Sequence, residues 1–180
     1  MPGGAVDAER LFDAVVRVKI QAGPNARSSS TLGKQREGSG VVIGDDGLVL
    51  TIGYLVLEAE QVQLMLDDGR MLPARVVAYD LATGFALVQS LAPLKITPAA
   101  LGQSSGLKVD DPLLMASGMQ GGQQGQMGLS RLAAKRSFAG YWEYWIDGAL
   151  FTTPARGTHS GAGLFNQRGE LVGIGSLFVQ

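Results

Sequence analysis

Apolar residues come in short runs along this chain, and the breaks between them are made of turn residues. "VVIGDDGLVLT" (41–51) is two β-rich runs around Gly44-Asp45-Asp46-Gly47. "VQLMLDDGRMLPARVVAY" (62–79) repeats the form around Asp67-Asp68-Gly69-Arg70, and "GLFNQRGELVGIGSLFV" (163–179) around Asn166 to Gly169. Asp and Gly tolerate the positive φ that tight turns between paired strands require. Three such hairpins predict an all-β chain, an antiparallel barrel or sandwich. Helical periodicity is thin. "DAERLFDAVVRVKI" opens with one possible helical turn before Val15 to Ile20 alternates as a strand, and a second short turn is predicted near Leu55 to Glu58. Two polar stretches, 22–40 and the Gly/Gln-rich 117–130, read as surface connections.

Composition narrows the chemistry. With 180 residues, the chain suffices for one domain with a buried core or two small subdomains sharing a cleft. A net charge of −1 and scattered basic residues give no footprint for nucleic acid or an anionic membrane. There are no cysteines and one histidine, so thiolate chemistry and multi-histidine metal sites are excluded. No cofactor is expected. Apolar runs fall far short of the ~20 residues of a membrane-spanning helix, and the start, "MPGGAVDAER", lacks the pattern of a signal peptide.

The candidate chemistry sits in "ARGTHSGAGLF" (155–165), where Ser160 precedes Gly161-Ala162-Gly163 and follows His159, the sole histidine. A serine in such a turn suggests a nucleophile, but its hydroxyl attacks only when a neighbour takes its proton. Adjacent side chains in an extended or turn backbone point apart, so His159 is read as a rim residue rather than that base. Glu58 and Glu60 are read as solvated, Asp110-Asp111 as a loop, and Asp45-Asp46 and Asp67-Asp68 as turns rather than calcium sites. "YWEYWIDG" (141–148) clusters Tyr141, Trp142, Tyr144 and Trp145 on a strand. The cluster is expected to pack in the core, the alternative being that one face is an exposed binding patch.

Three landmarks in order carry a family resemblance. Gly38-Ser39-Gly40-Val41-Val42-Ile43 with Asp46-Gly47-Leu48-Val49-Leu50-Thr51, then "LDDGRMLPARVVAYDLATGFALVQ", then "TTPARGTHSGAGLFNQRGELVGI", resemble the trypsin-like serine proteases of the bacterial HtrA/Deg group from about residue 10 onward. The resemblance implies a trypsin-like double antiparallel β-barrel, each barrel six-stranded, with short helical turns and a cleft between the barrels. It implies one protease domain over 1–180, with subdomains of roughly 10–95 and 96–180 and no PDZ domain in this chain.

The resemblance also assigns roles. The family's Thr-x-x-His motif falls on Thr51-Ile52-Gly53-Tyr54, which puts Tyr54 at the base position. Its Asp-x-x-Thr-Asp motif falls on Asp80 to Gly84, which puts Gly84 at the acid position. The nucleophile turn places Ser160 correctly but puts Thr158 where a glycine would help form the oxyanion hole with the Ser160 N–H. A phenol of pKa ~10 is a poor base at neutral pH, and glycine has no side chain to orient one. The triad is thus degenerate. The expected function is a pseudoprotease that binds peptides or unfolded protein segments in the cleft, with neither nucleic acid nor a membrane span as partner. The alternatives are a weak or conditionally activated endopeptidase working through Ser160, and an interaction domain that never used the cleft. Resemblance further implies a periplasmic or extracytoplasmic location and permits a homo-oligomer.

Overall fold

The computed structural model describes residues 8–118, 125–140, 144–155 and 159–176, with backbone alone for Gly140 and Tyr144. The chain opens with helix α1 (Ala8–Asp13), then strand β1 (Val15–Ala22). The 22–40 stretch is a connection only to Lys34. It holds a single turn, α2 (Ser29–Leu32), and from Gln35 onward it is strand β2 (Gln35–Val42). Then follow β3 (Leu48–Ile52), the one-turn helix α3 (Gly53–Val56), β4 (Ala59–Met65), β5 (Met71–Tyr79) and β6 (Phe85–Ser90).

These six strands close into a barrel in the order β1-β2-β3-β6-β5-β4, with every neighbouring pair that is described antiparallel. The hairpin at Gly44–Gly47 sets Val41 opposite Leu50, and the one at Asp67–Arg70 sets Met65 opposite Met71. Period-two burial does the rest. On β6, Ala86, Val88 and Ser90 face inward while Phe85, Leu87 and Gln89 are half-exposed. Val18, Val42, Val49, Leu64 and Val88 fill the barrel, and Leu55 and Val56 of α3 are buried in the same cluster.

The second sheet is built from β7 (Pro112–Ser117), β8 (Gln126–Gly140), β9 (Tyr144–Thr153), β10 (Gly163–Phe165) and β11 (Leu171–Ile174), ordered β11-β10-β7-β8-β9. With the closed barrel it makes the expected trypsin-like pair, except that this half is described as a half-barrel rather than as six strands. Among the described residues this sheet has five strands, and β9 and β11 are its two edges rather than a closed pair. The Gly/Gln-rich stretch resolves partly into the start of β8, whose backbone pairs with β7 despite its polar side chains. Residues 119–124 of it lie outside the described residues.

A shared apolar layer joins the two sheets. Val15 and Val41 from the barrel pack with Ala116, Phe165 and Leu171 from the second sheet. Phe165 is wholly buried there, a burial that stabilises by about 2–3 kcal/mol. The seam ends in polar contacts of matched geometry. Gly118 N–H donates to Ser39 Oγ at 2.8 Å, and Ser39 N–H donates to the Ser160 carbonyl at 2.8 Å. That second bond fixes the candidate nucleophile's turn against β2.

Candidate active site

Ser160 lies in the turn that leads into β10. The next residue, Gly161, has φ +76. A Cβ there would stand 1.8 Å from the Ser39 carbonyl oxygen, so only glycine fits this close approach. The turn is tied on two sides. Gly161 N–H donates to the Gly175 carbonyl at 2.9 Å, and Gly175 N–H donates to the Ala162 carbonyl at 2.8 Å. Beneath it, the buried Thr51 hydroxyl donates to the Ser39 carbonyl at 2.7 Å. Thr51 therefore acts as a buried brace under the turn.

Tyr54 reaches the same point from the barrel. Its short helix begins at Gly53, whose N–H donates to the Gly84 carbonyl at 2.6 Å. A Cβ at Gly53 would meet the Tyr79 ring at 2.2 Å, so the helix sits hard against β5. Its other end is held by Arg36, 6% exposed on β2. The Arg36 guanidinium donates to the carbonyls of Leu57 at 2.7 Å, Tyr54 at 3.2 Å and Gly33 at 3.0 Å, and to Ser28 Oγ at 2.7 Å. Those helix-end carbonyls have no partner within so short a helix, which is why a five-donor side chain suits the place.

So held, Tyr54 places its Oη 2.6 Å from Ser160 Oγ and 2.8 Å from the Ser176 carbonyl. A phenol has one proton and a carbonyl has none. Tyr54 therefore donates to Ser176, and the Ser160 hydroxyl donates to the Tyr54 oxygen. Burial pushes the phenol above its ordinary pKa, a shift that the Ser160 contact only partly offsets. At neutral pH the group that receives the Ser160 hydrogen bond is a neutral phenol oxygen. It orients the serine and has no basicity with which to remove its proton.

The structure brings Gly84 to the same helix through its carbonyl, not through a side chain. Gly84 has φ +74 and closes a turn in which its N–H donates to the Asp80 carbonyl at 2.8 Å. The neighbouring carboxylate of Asp80 is spent within that turn, accepting from Thr83 Oγ1 at 2.7 Å and Ala82 N–H at 3.1 Å. Those bonds hold its carboxyl below the usual range. Glu58 points elsewhere too. It sits at φ +55 and accepts from the backbone of Ser28 at 2.7 Å and Arg27 at 3.3 Å, while Glu60 is exposed.

Thr158 lies outside the described residues, as do Tyr141 and Trp142. His159 is half-buried and borders a cavity of about 380 Å³ between the barrel and the second sheet, lined also by Phe85, Phe138, Leu150, Leu164 and Ser176. Trp145 is 61% exposed, so the core reading fails for that ring, whereas its neighbour Ile146 lines the cavity. No group of three or more His, Asp or Glu suited to a metal occurs among the described residues. Sequence reasoning paired Tyr54 with Ser160 but missed Arg36 and the Ser176 carbonyl.

Residues 38–174 match the profile of the trypsin-like peptidase domain. The chain is 33% identical over 140 residues to the periplasmic pH-dependent serine endoprotease DegQ of Escherichia coli, covering 76% of this chain and 30% of that protein. It is 29% identical over 193 residues to the serine protease PepD of Mycobacterium tuberculosis, covering 98% of this chain and 39% of that one. The chain thus spans about a third of these relatives' length. Among solved structures, the fold superposes on the HtrA-type protease AlgW with tripeptide at a TM-score of 0.76 and 24% identity, covering 92% of this chain and 51% of that one. On the apo MamO protease domain of Magnetospirillum magneticum the TM-score is 0.72 at 20% identity, covering 92% and 84%.

Proposed function

The chain belongs to the trypsin-like peptidase family with HtrA/Deg proteases as its relatives, and we propose that it is a catalytically silent member that binds extended peptide or unfolded protein segments in its cleft. One observation carries the silent half of this reading. The Ser160 hydroxyl has a neutral phenol as acceptor, 2.6 Å away, where an activated serine has an imidazole. Gly84 supplies no carboxylate behind it, and replacing Tyr54 by a base would still leave that second role unfilled. In triads, loss of the base costs about a millionfold in turnover.

The binding half is supported by the cleft itself. Among the described residues β11 is an edge strand of its sheet, and edge strands accept extended chains through main-chain hydrogen bonds. A relative of this fold, AlgW, was solved with a tripeptide and with a decapeptide. In this reading, Ser160 and Tyr54 line the site, Thr158 and the Ser160 N–H take the oxyanion positions, and the whole chain acts as one protease-like domain. Relatives described as periplasmic support an extracytoplasmic location. No helix among the described residues is long and apolar enough to cross a membrane.

A fluorophosphonate probe and casein turnover test the silent half together. The expected result is no labelling of Ser160 above the Ser160→Ala background and no cleavage by pure protein. Ser160-dependent cleavage would establish instead the weak endopeptidase reading.

A further inference from the structure

The Tyr54 hydroxyl does more than fail as a base, because it also occupies a main-chain acceptor that an incoming strand would need. The pairing of β11 with β10 shows which acceptor this is. Ile174 lies opposite Gly163 and Gly173 opposite Leu164. Beyond the strand, Gly175 continues toward the same side, its N–H bonded to Ala162 and its carbonyl to Gly161. Along an extended chain, the main-chain groups of successive residues face opposite neighbours. Ser176 therefore turns its carbonyl away from β10, onto the outer edge of the sheet.

That outer edge is engaged at Leu171 by the backbone of Ala100 and Gly102. From Val172 onward it has no ladder partner among the described residues. The Ser176 carbonyl is thus an acceptor on this edge linked to Ser160 through a single hydroxyl, since Tyr54 Oη holds it at 2.8 Å while also accepting from Ser160. One phenol closes both polar positions that a bound peptide would approach.

From this geometry we infer that Tyr54 is an autoinhibitory plug. A peptide strand pairs at Ser176 only after the phenol leaves, so the affinity of the native protein for extended segments is lowered by the population of the plugged state. The inference rests on the peptide-binding reading above. It differs from that reading in predicting that removal of a hydroxyl strengthens binding. Apparent affinity is the intrinsic affinity scaled by the competent fraction. Release of one hydrogen bond to a carbonyl changes that fraction by about three- to tenfold. Truncation of the ring adds to this by clearing the edge sterically.

The test uses fluorescein-labelled β-casein, an unfolded chain, with anisotropy titrations of wild type, Tyr54→Phe and Tyr54→Ala. Tyr54→Phe keeps the ring that packs on the barrel core, so it remains informative if Tyr54→Ala does not fold. Tighter binding by about three- to tenfold in Tyr54→Phe, and more in Tyr54→Ala, is the expected result. Binding by the variants with a silent wild type also supports the plug, and shows that the native chain does not bind such segments unaided. Equal binding by all three overturns the plug and leaves the peptide-binding reading standing. No binding by any of them overturns both.

Discussion

Gly161 carries the sharpest energetic prediction, because two separable penalties meet there and a second glycine carries only one of them. Alanine at Gly161 must adopt φ +76, and its Cβ must stand 1.8 Å from the Ser39 carbonyl oxygen and 2.9 Å from Thr51 Oγ1. At Gly69, φ is +85 but a Cβ meets nothing within 4 Å. The left-handed conformation alone costs a non-glycine residue about 1–2 kcal/mol, and that is the expected cost of Gly69→Ala. Relief of the clash at Gly161 requires the turn to lift from β2. That movement breaks the 2.8 Å bond from Ser39 N–H to the Ser160 carbonyl, and a buried donor left unsatisfied costs a further ~1–3 kcal/mol. The expected loss for Gly161→Ala is therefore about 2–5 kcal/mol, a large part of the ~5–15 kcal/mol that holds a typical domain. The unfolded-state effect of Gly→Ala is common to both variants and cancels in the comparison. Urea unfolding followed by tryptophan fluorescence measures the difference. With a slope near ~2 kcal/mol/M, a ~2 kcal/mol gap separates the two midpoints by about 1 M. Coincident midpoints would show that the turn is not seated on Ser39 as described.

Two further predictions concern the elements that hold Tyr54. Arg36→Met leaves the carbonyls of Gly33, Tyr54 and Leu57 without their donor and is expected to cost about 3 kcal/mol. Arg36→Lys recovers only part of this, since an ammonium lacks the planar fork; thermal unfolding of both variants checks the order, and a lysine variant as stable as wild type would refute it. Burial raises the Tyr54 pKa, so the folded state holds this proton more tightly than the unfolded chain does. The stabilising contribution is fully present below the unfolded value of ~10 and is lost as pH climbs through the higher folded value. The difference in tyrosinate absorbance between wild type and Tyr54→Phe should rise only above ~pH 10, and a midpoint at or below that value contradicts the buried, bonded phenol.

The barrel was legible because its signals are local. Asp-Gly turns at 45–47 and 67–69 fix two hairpins, and alternation on β6 fixes a face. The strand number of the second sheet, five among the described residues, was not legible, because whether β9 meets β11 depends on long-range curvature that no short window encodes. Trp145 misled for a related reason: large rings favour cores and interfaces alike, and only the register of β8 and β9 decides which side it takes.

The site divides along the same line. The family resemblance put Tyr54 at the base position for Ser160, and the loss of base strength followed from side-chain chemistry alone. What that reading lacked was the destination of the phenol's own proton. The acceptor is the carbonyl of Ser176, and every residue type carries a carbonyl, so no substitution in the sequence marks it. The direction of that carbonyl comes from the β10–β11 register continued through Gly175, a property of pairing between segments. The absent base is thus written in the side chains at 54 and 84, whereas the blocked edge is written in the backbone. An engineered imidazole at position 54 would address only the first of these unless it also released Ser176.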